Sequence, residues 1–182
     1  GCEVDVPGGG VDVGVPEQGL HDGQVDPGLI ARPLGQMEQI NCASPAYLQR
    51  FGIPRGLEDL AEHRLVHYVP NLGAKADGWE YQHDGETISL DMPGALTVNS
   101  TDAYSQACLA GLGLIQVPRV GVLPYLADGR LVEVLPEYRA APMPVFLLYP
   151  HRRNLSKRVQ VFMDWLAGLV SPYVAEQRPA AR

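Results

Sequence analysis

Residues 98–118 read VNSTDAYSQACLAGLGLIQVP, and they leave few folds open. The stretch begins as the end of a strand, turns into a helix, breaks at glycine and resumes as a strand. Asn99, Ser100 and Thr101 are three consecutive residues able to cap a helix N-terminus, and Asp102 adds negative charge to the first turn. Tyr104, Ala107, Cys108 and the Gly111/Leu112 pair recur at helical spacing. Gly111 and Gly113 stop the helix, residues 114–117 are mostly apolar, and Pro118 ends them. A helix that starts at a strand end leaves backbone N–H groups unpaired at a sheet edge, where anions and small ligands bind. The same features also serve as ordinary caps in an ordinary βαβ unit.

The rest of the chain repeats the alternation. Residues 29–34 lead into a second strand over 37–43. Ser44-Pro45 is a strong helix start, with Ser as the cap and Pro in the first helical position, and Gly52 closes that helix. Ser44 lacks a G-x-S-x-G elbow and an evident base, so capping is favoured over a nucleophilic role. Residues 57–61 form a short helical turn and 65–69 a strand. His63 and His67 are four apart, but in an extended segment that separates them by roughly 13 Å, which argues against a metal pair. Asp84-Gly85 is a two-residue hairpin loop that pairs Tyr81 with Ile88 and Trp79 with Leu90 on one face. Residues 95–98 form the strand that delivers the chain to Asn99.

Beyond Pro118, residues 120–126 form a short helix or turn and 131–135 a strand. Residues 145–149, VFLLY, are apolar throughout, as a strand buried on both faces requires. Ser156 caps a last helix whose Val159, Phe162, Met163, Leu166, Leu169 and Val170 form a core-facing stripe. The N-terminal 28 residues are rich in Gly, Pro and Asp, with residues 11–15 as a short strand, and Gly8-Gly9-Gly10 lacks the spacing of a phosphate loop. Strands alternating with helices give an α/β fold.

A net charge of −7 without basic clusters makes direct binding to DNA or RNA a poor reading. The nearest basic run, His151-Arg152-Arg153, reads as a solvated helix start. Cys2, Cys42 and Cys108 form no C-x-x-C pair, and the latter two sit among apolar residues as small buried side chains. That usage fits a reducing cytoplasm. No apolar run is long enough to span a membrane, and no cofactor or metal is expected.

The segments Asn41 to Leu48 (NCASPAYL), Gly52-Ile53-Pro54 and Glu58 to Arg64 (EDLAEHR) are similar to the regulatory domain of LysR-type transcriptional regulators. So are Ala31-Arg32-Pro33-Leu34-Gly35, Ala110 to Leu114 with Pro118, Gly129 to Val132 with Leu135-Pro136, and Tyr149 to Ser156. Order and spacing hold from about Val11 to Val170. Each piece is weak, and the combination is specific. The resemblance implies a periplasmic-binding-protein-like fold of two α/β lobes joined by two crossovers, with a small-molecule effector in the cleft. It implies a homo-oligomer in which one subunit's outer lobe meets the other's inner lobe. DNA is bound only through a separate winged helix-turn-helix domain, absent here.

On that reading, residues 1–38 and 118–170 form the outer lobe, 39–117 the inner lobe, and 171–182 a flexible tail. The outer lobe is incomplete: the family's first strand, long helix and second strand have no counterpart before Val11. The inner lobe is therefore expected to be the better formed. The expected effector-binding residues are Ser44, Asn99, Ser100 and Thr101, whose hydroxyl, amide and backbone N–H groups suit a carboxylate. The competing readings are a solute-binding protein of a transporter, a fragment without function, and an enzyme. The last is disfavoured because no nucleophile is accompanied by a base at a telling spacing.

Overall fold

The structure, a computed structural model, describes residues 29–150 and 155–175. The expected strand over 11–15, Cys2 and the basic run at 151–153 lie outside the described residues. The chain divides into two compact units, one of residues 1–37 with 143–182 and one of residues 38–142.

In the 38–142 unit, β2 (Gln39–Ala43) runs antiparallel between β7 (Ile115–Pro118) and the short β8 (Val132–Glu133). β3 (Leu65–Tyr68) pairs in parallel with β6 (Gly94–Val98). A parallel bridge from Leu65 to Leu114 joins the two sets, with Leu114 N–H donating to Arg64 O at 2.8 Å and Val66 N–H to Leu114 O at 2.9 Å. The order across the sheet is thus β6, β3, β7, β2, β8. Gly113 makes this seam possible, since a Cβ there would stand 2.7 Å from Arg64 O.

Local signals explain the elements around this sheet. Ser44 Oγ accepts from Tyr47 N–H and Pro45 opens α1 (Pro45–Phe51), which Gly52 ends at φ 88°. A 3-10 turn follows over Leu57–Glu62. β4 (Trp79–His83) and β5 (Glu86–Leu90) fold about Asp84-Gly85, both at positive φ, in the register expected from sequence: Tyr81 opposite Ile88 and Trp79 opposite Leu90. α2 (Thr101–Leu109) buries Tyr104, Ala107 and Cys108, and Gly111 at φ 77° stops it. α3 (Arg119–Ala127) follows β7.

Two buried clusters fill this unit. Ile40, Cys42, Val66, Tyr104, Cys108, Ile115 and Val122 belong to one, and Tyr47, Leu48, Leu60, Trp79, Met92 and Leu114 to the other. Adjacent β2 residues serve both, Cys42 in the first and Ala43 in the second, because successive side chains of a strand point to opposite faces.

The other unit is built on β1 (Leu29–Met37) paired antiparallel with β9 (Met143–Pro150), and α4 (Lys157–Val170) supplies its helix. Ser156 Oγ accepts from Val159 N–H and caps α4. Leu147, Met163 and Leu166 are its buried cluster.

Four features depart from the sequence reading. Residues 118–142, assigned there to the outer lobe, pack with 38–117, because β8 adds to β2 and Val122 and Leu131 enter the first cluster. The VFLLY strand is not buried on both faces: Val145 and Leu147 are buried, while Phe146 and Leu148 are only half-buried. The α4 stripe is core only in part, with Met163 and Leu166 buried but Phe162 and Leu169 exposed at 43% and 54%. The expected flexible tail begins later than residue 171: Ser171–Tyr173 is a 3-10 turn, and Ala175 exchanges two backbone hydrogen bonds with Gln36. Gly35, at φ 143°, permits that approach, since a Cβ there would stand 2.6 Å from Ala175 O.

Candidate functional site

The start of α2 lies at one end of the five-stranded sheet. Val98, the last residue of β6, is level with Tyr68, Val117 and Ile40 through the strand registers. Asn99, Ser100 and Thr101 follow it and are all exposed. Ser100 is the N-cap by backbone geometry, and its side chain makes no capping hydrogen bond. The first helical bond runs from Tyr104 N–H to Ser100 O, so the backbone N–H groups of the preceding turn carry no side-chain cap.

Ser44 lies elsewhere. It follows the end of β2, which runs against the direction of β3, β6 and β7, and so sits at the opposite end of the sheet. A Cβ at Gly111, beyond the C-terminus of α2, would lie 3.6 Å from Ser44 Oγ. The nine residues of α2, about 13 Å of helix, therefore separate Ser44 from Thr101. Ser44 is also 2% exposed, with its oxygen engaged by Tyr47 N–H. The structure brings Asn99, Ser100 and Thr101 together and leaves Ser44 out. The lone antiparallel strand is the reason, and nothing in the serine-proline signal revealed it.

Behind the start of α2 stands a partly buried polar network, centred on the fully buried Asn41, that the sequence reading missed. Tyr104, in the first turns of α2, accepts Gln116 N–H on its hydroxyl at 3.0 Å. The Gln116 side chain donates to Asn41 Oδ1 at 2.9 Å and to Glu80 O at 2.7 Å, and accepts from Glu80 N–H at 2.8 Å. Asn41, fully buried, donates to Leu135 O and Tyr138 O, both at 2.9 Å. One polar chain thus ties α2, β7, β4, β2 and the 135–138 turn. Its signal was an asparagine inside the apolar run Ile40-Asn41-Cys42, since a buried amide has to be satisfied. Nearby, Arg139 bridges Glu133 and Glu38, and Arg119 stands within 4 Å of both acids.

Other groups fit structural roles. Tyr47 hydroxyl accepts Arg64 N–H at 2.8 Å and shares a hydrogen bond with His63 Nδ1 at 3.1 Å, and burial lowers the His63 pKa. His67 Nδ1 instead approaches Asp77 O at 3.2 Å. Among the described residues no three His, Cys, Asp or Glu side chains are placed to hold a metal. Burial raises the thiol of Cys42 to about 12 and pushes that of Cys108 up as well, which leaves both unreactive. A hollow of about 340 Å³ between Phe51 and His63, and one of about 500 Å³ beside Arg32 and Ala167, include none of the expected site residues.

Residues 6–170 match the family model of the LysR substrate binding domain. The chain belongs to that family. YhjC of Escherichia coli K12, an uncharacterised HTH-type transcriptional regulator, is 50% identical over 147 residues, 81% of this chain and 49% of its own length. The HTH-type transcriptional activator TtdR of the same strain is 33% identical over 139 residues, covering 76% of this chain and 44% of TtdR. This LysR-type domain thus spans about half the length of the curated relatives it matches. Among solved structures, the regulatory domain of AphB from Vibrio vulnificus is 33% identical with a TM-score of 0.65, covering 78% of this chain and 70% of that one. The regulatory domain of CrgA, a LysR-type transcriptional regulator from Neisseria meningitidis, is 26% identical with a TM-score of 0.67, covering 80% and 71%. The fold is therefore that of LysR regulatory domains, and the relatives are regulators, which favours the regulatory reading over a transporter's solute-binding protein. Among the described residues no helix is long and apolar enough to cross a membrane.

Proposed function

We propose that this domain senses a small anionic molecule, a carboxylate in the first instance, and controls transcription through a winged helix-turn-helix domain carried by the longer parent chain. It does so in the cytoplasm, without a cofactor and without catalysis, and as part of a homo-oligomer. Family membership supports the regulatory role. The single observation that supports the ligand class is the uncapped start of α2, where exposed Asn99, Ser100 and Thr101 surround first-turn N–H groups at a sheet end. Asp102 in the same turn opposes an anion, so a ligand has to bring hydrogen-bond acceptors that reach the N–H groups themselves.

Ser44 is left out of this proposal, because its oxygen is occupied and its helix is only seven residues long. Isothermal titration with small aliphatic and aromatic carboxylic acids tests the reading. Binding that Ser100→Ala and Asn99→Ala weaken several-fold, and that a neutral amide analogue lacks, is expected. Affinity unchanged by both substitutions would remove the start of α2 from the site.

A further inference from the structure

The hollow of about 340 Å³ at the end of α1 shares no residue with the start of α2. Gly52 ends α1 at φ 88°, and the 3-10 turn Leu57–Glu62 brings the chain back, held to the core by the fully buried Leu60. The turn's acids and the last residue of α1, Phe51, therefore line one space. Glu58, Asp59 and Glu62 stand there against a single guanidinium, that of Arg55, so the lining is net negative. Asp59 is engaged, accepting Arg55 N–H at 2.8 Å. The carboxylates of Glu58 and Glu62 form no hydrogen bond or ion pair among the described residues.

His63 supplies a second, independent observation. It is 4% exposed, yet it lines the hollow. Tyr47 hydroxyl engages Nδ1, while Nε2 has no partner among the described residues and opens on the hollow instead of being sealed in the core. A buried side chain with one polar atom left open in this way calls for a partner from outside. Burial holds His63 below the ordinary histidine pKa, so the ring is neutral at neutral pH, and Asp59 and Glu62 are close enough to pull the other way.

We propose that this hollow binds a small organic cation, a primary ammonium on a short apolar stem. The ammonium bridges His63 Nε2 and Glu62, with Glu58 beside it, and the stem lies along Phe51 and Ile53. Three N–H donors suit two carboxylates and one imidazole nitrogen. An ammonium selects the tautomer in which Nε2 keeps its lone pair, and Tyr47 hydroxyl then accepts from both Nδ1–H and Arg64 N–H. Arg50 already stands over the Phe51 ring at 4.9 Å, so the carboxylates, not the aromatic face, recognise the charge. The volume lies at the small end of ligand sites. The proposal is independent of the effector reading, since no residue of α2 takes part.

A titration of the full 182-residue chain with n-butylammonium, followed by long-range proton–nitrogen NMR of its histidines at pH 7.5, tests this. Saturable binding is expected, with His63 Nε2 moving to the lone-pair form. Glu58→Gln together with Glu62→Gln is expected to weaken binding about fivefold. Both positions are exposed, so the fold survives, as circular dichroism verifies. Butyrate and magnesium are expected to leave the His63 resonances in place. Absence of saturable binding, an affinity unchanged in the double variant, a His63 Nε2 signal indifferent to the amine, or an equal response to butyrate or magnesium would each overturn the proposal.

Discussion

Residues 38–142 and the described part of the other unit solve the same problem with unequal means. The first seats two buried clusters on opposite faces of β2 and its neighbours and crosses them with a satisfied polar network. The second rests on one antiparallel pair of strands, a cluster of Leu147, Met163 and Leu166, and a helix whose outer face stays in water. A two-stranded pair is marginal unless something packs on it, so α4 carries the stability there. The lesson is that the two units, though both α/β, differ in how many layers each core residue serves.

The largest test of this contrast is Asn41→Leu. It leaves Leu135 O and Tyr138 O without their donor and Gln116 without one acceptor, so a loss of about 4 kcal/mol is expected. Urea unfolding followed by far-UV circular dichroism measures it, and a loss below about 1 kcal/mol would remove the network from the account. Leu147→Ala comes next, at about 3 kcal/mol, confined to the smaller unit. In a Trp165→Phe background Trp79 is the sole indole. Its fluorescence transition is expected to stay while helix signal is lost at lower urea. A shift of both together would show that the two units unfold as one.

Gly35→Val costs about 2 kcal/mol by driving a side chain into Ala175 O and Val174. The hydrogen exchange of Gln36 and Ala175 reports it, and unchanged protection would contradict it. The smallest effect concerns His63. Burial holds its pKa below the usual histidine value, so the unfolded chain takes up a proton at a pH where the native chain does not. Stability is then full at neutral pH and falls as the pH drops through about 6.5 toward the lower native pKa. His63→Gln is expected to flatten the stability difference between pH 7 and about pH 5. An equal difference in the variant would remove His63 as the cause.

Features decided by neighbours in sequence were legible in advance. Ser44-Pro45, Asp84-Gly85 with its pairs, Gly111 and the Ser156 cap all rest on local backbone preference, and each stands where its residues placed it. Features decided by distant partners were not. The helical period of α4 is real, but period alone does not say which of two apolar stripes is covered, and Phe162 and Leu169 lie on the uncovered one. The boundary at Pro142 depends on β8 finding β2 across 90 residues of chain, and two residues of strand give little pattern to read. The candidate site was half-legible for the same reason. Asn99, Ser100 and Thr101 are adjacent in sequence, while the position of Ser44 depends on strand direction.

Amide hydrogen exchange, at concentrations where the chain is monomeric, tests the central contrast most directly. Ile40, Cys42, Ile115 and Val117, paired between β2 and β7, are expected to exchange far more slowly than Val145, Leu147 and Tyr149 of β9. Equal or stronger protection in β9 would contradict it.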